Sequence, residues 1–225
     1  MRTGFFGGTF NPFHLGHLQA IKRVKEDFPL DKIYIIPSAL PPHKDRTDVA
    51  DYRARYEMVH LAVENDPLIK KFVDISNVEL TRSGPSYTID TVWHYKSIMP
   101  SDCSFYLILG LDAFLELNTW KSYMELLDII PFIVIARPGS GNYKKKELYG
   151  EIEKFLLTKI SDKYRYNRKI KGYIHEKKET VFVFDAAPLN ISSTMIRNHV
   201  KKGKAINALV PPSVDSFIKN KRLYV

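Results

Sequence analysis

Short apolar runs alternate along this chain with stretches of helical period, and that alternation restricts the possible folds more than any other feature. RTGFF at 2–6, KIYII at 32–36, KFVDIS at 71–76, SFYLIL at 104–109, PFIVIA at 131–136 and TVFVFD at 180–185 have the length and composition of buried strands. Between them, HLGHLQAIKRVKEDF spaces Leu18, Ile21, Val24 and Phe28 at helical period, and DYRARYEMVHLAVEN sets Tyr56, Val59 and Val63 on one face. SYTIDTVWHYKSIM reads as a helix capped at Ser86 or Thr88, with Ile89, Val92 and Trp93 turned inward. ISSTMIRNHVKKG opens another helix, capped by Ser193 and Thr194 and ended by Gly203, and PSVDSFIKNKRLY a last one. Strands separated by helices predict an α/β chain: a doubly wound parallel sheet with right-handed crossovers and helices on both faces. A small helical portion follows at about 192–225, and 225 residues suit a single domain over 1–225.

No apolar run reaches a membrane-spanning length, and the first residues lack the pattern of a secretory leader. The single cysteine, Cys103, excludes an internal disulfide and a multi-cysteine zinc site, so a cytoplasmic protein is expected. The net charge of +9 raises nucleic acid as a partner. Its distribution argues otherwise. In 142–179 twelve Lys or Arg stand against six Asp or Glu, which concentrates most of the excess in one lysine-rich helix and a polar connection. Tyr164, Tyr166 and Tyr173 interleave there with Arg165, Arg168, Lys169 and Lys171, a pattern that could suit stacking on single strands, but a lysine-rich amphipathic helix followed by a polar connection is better read as solvated surface.

The unusual residues fall where the runs end. GGTFNPFHLGH at 7–17, Pro37 to Lys44, Gly110 to Trp120, Arg137 to Gly139 and Asn190 to Arg197 all follow predicted strands, and parallel sheets bind ligands beyond the carboxyl ends of their strands. Gly7 and Gly8 admit a phosphate without β-carbon obstruction, Thr9 offers N–H and hydroxyl, and the helix start adds amides and the positive pole of the macrodipole. His14 and His17, one turn apart, can face one bound anion; they can also be metal ligands, with His43 as a third, or plain helix-start residues. Ser193, Thr194 and Arg197 form a second anion cluster of hydroxyls, amides and a guanidinium. No serine or cysteine nucleophile paired with a base is evident.

Taken together, GGTFNPFHLGH and ISSTMIR resemble the two signatures of the nucleotidyltransferase superfamily. PPHK, SYTID, GLDAF with LNTWK, and ARPG are similar to the further marks of the nicotinate-nucleotide adenylyltransferases, over Arg2 to about Tyr224. The resemblance implies a Rossmann-like nucleotidyltransferase domain that joins nicotinate mononucleotide to ATP with Mg²⁺, giving deamido-NAD and pyrophosphate for NAD biosynthesis. It implies catalytic roles for His14, His17, Lys44 and Arg197 and no metal held by the protein itself. Gly7, Gly8, Thr9, Phe10, His14, His17, Gly110, Asp112, Ile191, Ser193, Thr194 and Arg197 would bind ATP, with Gly110 and Asp112 on ribose hydroxyls. His43, Lys44, Tyr87, Thr88, Trp120 and Arg137 would bind the mononucleotide, Trp120 stacked on its ring and Arg137 on its phosphate. Asn11 stands where the bacterial enzymes often carry Asp, which keeps nicotinamide mononucleotide in view as the acceptor; pantetheine phosphate is a further alternative. Small molecules are the expected partners, with self-association left open.

Overall fold

The computed structural model describes residues 1–39, 49–82, 84–136, 145–185 and 189–225. The elements are β1 (Arg2–Gly8), α1 (Leu15–Asp27), β2 (Lys32–Pro37), α2 (Tyr52–Glu64), β3 (Val73–Ile75), α3 (Val78–Thr81), α4 (Thr88–Ile98), β4 (Ser104–Gly110), α5 (Leu111–Leu115), α6 (Tyr123–Ile129), β5 (Phe132–Ala136), α7 (Lys145–Phe155), β6 (Arg165–Asn167), β7 (Gly172–Ile174), β8 (Val181–Asp185), α8 (Ser193–Lys201) and α9 (Pro212–Asn220). They fall into two units, one made of 1–6 with 87–190, the other of 7–86 with 191–225.

In the first unit β1, β4, β5 and β8 run parallel, with Phe5 opposite Leu107, Ile108 opposite Ile133 and Ile133 opposite Phe182. Successive strand residues point to opposite faces, yet Phe132, Ile133, Val134 and Ile135 are all buried. Both faces of β5 are therefore covered, which is why its sequence is a continuous apolar run and not an alternation. Phe114 of α5 meets Phe132 edge-on, and Tyr95 of α4 lies against Phe5.

The predicted parallel sheet is present, extended in this unit by an antiparallel pair that makes it mixed. The polar connection predicted after the lysine-rich helix holds β6 and β7, paired antiparallel to each other, and β7 pairs antiparallel with β8. Tyr164 and Tyr173 are buried, their hydroxyls donating to the carbonyls of Glu179 and Tyr149. Only Tyr166 of the three interleaved tyrosines is exposed, so the stacking pattern loses two of its rings. The helix-face reading of Trp93 also fails: it is 45% exposed, and its indole N–H donates to Glu125 of α6 at 2.8 Å.

In the second unit β2 and β3 pair parallel, Ile33 opposite Val73 and Ile35 opposite Ile75. Helix α2 presents Tyr52, Arg55, Met58, Val59, Ala62 and Val63 inward, and Ser213 of α9 donates to the carbonyl of Leu61 at 3.2 Å. Gly203 ends α8 as predicted, with φ 64 in the left-handed region and its N–H on the carbonyl of Val200. No described helix is long and apolar enough to cross a membrane.

Candidate functional site

In the second unit the loop that follows β1 is held by side chains from far along the sequence. Gly8 is dictated by its neighbour: a β-carbon there would lie 2.8 Å from the Phe10 ring. Phe10 itself is buried at φ 50, and its ring meets Phe13 and His17 edge-on. The carbonyl of Thr9 accepts from Arg55 Nη1 at 2.7 Å, that of Asn11 from Arg197 Nη1 at 3.0 Å, and that of Pro12 from Ser193 Oγ at 3.0 Å. The backbone at Thr9, Asn11 and Pro12 is thereby held before the chain enters α1.

His14 is the N-cap residue of α1, and its ring stacks on that of His17 with centroids 3.6 Å apart. Both are buried. The backbone N–H of His14 donates to His17 Nδ1 at 3.2 Å, which makes Nδ1 an acceptor and puts the proton of the neutral ring on Nε2. Phe13 stacks on the His17 ring and Phe10 stands edge-on to it, so the imidazole has one orientation as well as one tautomer. His17 thus presents its Nε2–H in a single orientation beside His14.

Helix α8 begins beside this loop within the same unit. Its N-cap is Ser192, whose Oγ accepts from the N–H of Met195 at 3.1 Å; Ser193 and Thr194, predicted as caps, are the first helical residues. The reason is local: Ser192 keeps an extended backbone, while Ser193 already turns with the helix. The Ser193 hydroxyl donates to Pro12, so what Ser193 can offer an anion is its first-turn amide. Arg197 spends Nη1 on Asn11 and Nη2 on Thr194 Oγ1, leaving part of its five-donor fork for a ligand. Ile191 is buried just before the cap.

Arg55 is the residue the sequence reading missed. It is 1% exposed and donates to the carbonyls of Ala50, Thr9 and Ala39. Burial pulls its pKa below the ordinary guanidinium value, against the opposing pull of Tyr224, Tyr52, Asp51 and Glu79. A signal was present. Arg55 sits three residues after Tyr52 and four before Val59, on the apolar face of α2, where an arginine needs buried partners. Burial also lifts the neighbouring Tyr52 phenol to about 12.

In the first unit the other group of predicted residues gathers around α4 and α5. Gly110 is the N-cap of α5, and the exposed Asp112 lies in its first turn. Tyr87, not Ser86 or Thr88, occupies the N-cap position of α4, and it has no side-chain cap bond. Trp120 is half-buried, not a core aromatic, and closes a short 3₁₀ turn by donating its N–H to Leu117 at 2.9 Å. Lys121 joins the two motifs: its ammonium lies 4.6 Å from the centre of the Tyr87 ring and 3.1 and 3.2 Å from the Asp90 carboxylate oxygens. His43, Lys44 and Arg137 lie outside the described residues.

The model of the cytidylyltransferase-like family matches residues 5–199, which contain both signatures. A protein of Desulfatibacillum aliphaticivorans, named as a probable nicotinate-nucleotide adenylyltransferase, is 39% identical over 228 residues and covers the whole of both chains. A namesake from a Thermoanaerobacter species is 38% identical over 225 residues, covering 100% of this chain and 94% of its own. This chain belongs to the nicotinate-nucleotide adenylyltransferase family. Its fold is also that of the Plasmodium falciparum nicotinic acid mononucleotide adenylyltransferase solved with NaAD, with a TM-score of 0.74 at 18% identity over 99% of this chain and 97% of that one. The family's Rossmann-like α/β fold with a mostly parallel sheet is the fold described above.

Proposed function

We propose that the loop 7–17 and the start of α8 hold the triphosphate of ATP, and that Tyr87, Thr88 and Trp120 hold nicotinate mononucleotide. The reaction joins the two: a 5′-phosphate oxygen of the mononucleotide attacks the α-phosphorus of ATP, the α–β bridging bond breaks, and deamido-NAD and pyrophosphate form. The observation that carries this reading is the pinning of the histidine loop to α8 through Asn11 and Pro12. It brings two helix starts, two imidazoles and a guanidinium into one unit, a donor set for many phosphate oxygens.

The attacking phosphate is already an anion, so the protein's task is to orient it and to neutralise charge. His17 donates through Nε2–H toward the leaving pyrophosphate, and His14 stands beside it. Gly7, Gly8, Thr9 and Phe10 carry the backbone past the phosphates. The Ser193 and Thr194 amides with Arg197 take the β- and γ-phosphates, and Ile191 closes the apolar side. Gly110 admits the ribose and Asp112 accepts from its hydroxyls. The first-turn amides of α4, at the positive end of an 11-residue helix, suit the nicotinate carboxylate, while Trp120 offers its face to the ring. Lys44, with His43, and Arg137 are assigned to the reacting phosphates and the mononucleotide phosphate.

Magnesium enters with the substrate. Among the described residues no three His, Cys, Asp or Glu side chains gather, and the donors of the loop and α8 are amides, imidazoles and a guanidinium, which suit a triphosphate and not a bare cation. Mg²⁺ keeps waters and substrate phosphates as ligands, and when bound it draws charge from the phosphate oxygens. A single nucleotidyltransferase domain working in the cytoplasm fits a chain whose one cysteine, Cys103, is free. The test is pyrophosphate release with ATP and, in parallel, nicotinate or nicotinamide mononucleotide. Release with nicotinate mononucleotide supports the reading; release with the amide alone assigns the other acceptor.

A further inference from the structure

We propose that Tyr224 is a positioning residue for the histidine loop: its hydroxyl, bonded to Asn11 Oδ1, holds Asn11 so that its carbonyl meets Arg197 and the loop delivers His14 and His17 in register. The proposal rests on the triphosphate reading above. Asn11 is 3% exposed, and its Oδ1 accepts both the N–H of Ala50, just before α2, at 3.1 Å and the hydroxyl of Tyr224 at 2.8 Å. Its main-chain oxygen takes Arg197 Nη1 at 3.0 Å. One residue therefore joins the loop, the approach to α2, the helix α8 and the segment after α9, and a carboxamide rotated away from Tyr224 would lose the Ala50 bond as well.

The segment after α9 is shaped for this contact. Arg222 and Tyr224 have φ of 48 and 65, in the left-handed region that residues with a β-carbon occupy only where their surroundings impose it. The contact across 213 positions is what these two turns achieve for the phenol. Burial raises the Tyr224 pKa, and the nearby Arg197 and Arg55 only partly oppose it, so the hydroxyl keeps its proton and remains the donor to Asn11. The Tyr224 hydroxyl is directed to Asn11. It acts on Arg197 and the histidines through Asn11.

The test uses the full chain with ATP and nicotinate mononucleotide. In Tyr224→Phe, which removes one oxygen and keeps the ring, kcat falls about tenfold while the KM for nicotinate mononucleotide stays within about twofold, the pattern for a lost orienting bond. Asn11→Ala combined with Tyr224→Phe is no slower than Asn11→Ala alone, because the phenol then has nothing to act through. Val214→Ala, which loosens the buried face of α9, lowers the melting temperature and keeps kcat. A Tyr224→Phe enzyme with wild-type kcat, a full additional loss in the double variant, or an equal fall of kcat in Val214→Ala overturns the positioning role. A wild-type chain that releases no pyrophosphate instead overturns the reading beneath it.

Discussion

The two units fix their candidate residues in opposite ways. In the unit of 7–86 and 191–225, the donors are set by bonds between residues far apart in sequence: Arg197 to Asn11 spans 186 positions, Ser193 to Pro12 spans 181, and Arg55 to Thr9 spans 46. In the unit of 1–6 and 87–190, Tyr87, Thr88 and Trp120 rest on helix and turn bonds close by in the chain. One exposed lysine, Lys121, links them by reaching Asp90 across 31 positions. The difference matches the chemistry proposed for each. Stabilising charge that builds up on a leaving pyrophosphate rewards donors that need no reorganisation, so buried, cross-linked groups are favoured there. Holding a flat ring and its carboxylate tolerates half-exposed groups.

The largest effect expected from this contrast lies at His17. His17→Ala lowers turnover by about a hundredfold or more, the scale of one preorganised donor, while circular dichroism stays native. Steady-state turnover equal to the wild type would remove His17 from the phosphate role and leave the unit with a scaffold only.

Next comes the scaffold itself. Arg55→Met leaves the carbonyls of Thr9, Ala39 and Ala50 without their buried donor and costs about 2 kcal/mol, read as a lower urea midpoint. Because Thr9 leads into the histidine loop, turnover falls together with stability. Loss of stability with turnover intact would show that the loop keeps its shape without Arg55, and the contrast between the units would then rest on α8 alone.

What the sequence made legible follows the same line. The buried strands and the helix starts at His14 and α8 could be read because each is a local pattern: an apolar run, a glycine pair, a serine before a helix. Strands β6 and β7 could not, since three-residue strands such as RYN and GYI carry no alternation long enough to register, and their pairing with β8 is set by the sheet. Trp93 was misplaced because a large aromatic on α4 was assumed to seek the core, whereas Glu125 of α6 gives its N–H a surface partner. Arg55 left a signal on the apolar face of α2 but not the identity of its partners, and Tyr224 left none. Their partners are loop groups, most of them backbone, with no side-chain signature in sequence.

A smaller effect is expected at the half-buried Trp120 of the first unit. Trp120→Ala raises the KM for nicotinate mononucleotide by about tenfold, the scale of one ring stacked on an aromatic, and leaves the KM for ATP unchanged. If the ATP value moves instead, Trp120 belongs to the adenine and not to the nicotinate ring.

The smallest expected effect concerns the hairpin edge of the first unit and leaves the chemistry untouched. His175 Nε2 lies 3.0 Å from Ser161 Oγ, and its Nδ1 accepts the N–H of Lys177 at 2.9 Å. An accepting Nδ1 puts the ring proton on Nε2, so the imidazole donates to Ser161 and cannot act as its base. Burial, then the charges of Lys178 and Lys163, lower the His175 pKa below 6.5, against the weaker pull of Glu176 and Asp128. The unfolded chain therefore takes up its proton first as pH falls. The contribution of His175 to stability is present above about pH 6.5, declines as pH drops below it, and levels off once the folded histidine is protonated too. His175→Gln keeps a donor for Ser161 and removes the titration, so part of the decline below pH 6.5 disappears in thermal melts while turnover at neutral pH is unchanged. A variant whose melts track the wild type through that range assigns the acid sensitivity elsewhere, and a variant with altered turnover ties the hairpin to the chemistry after all.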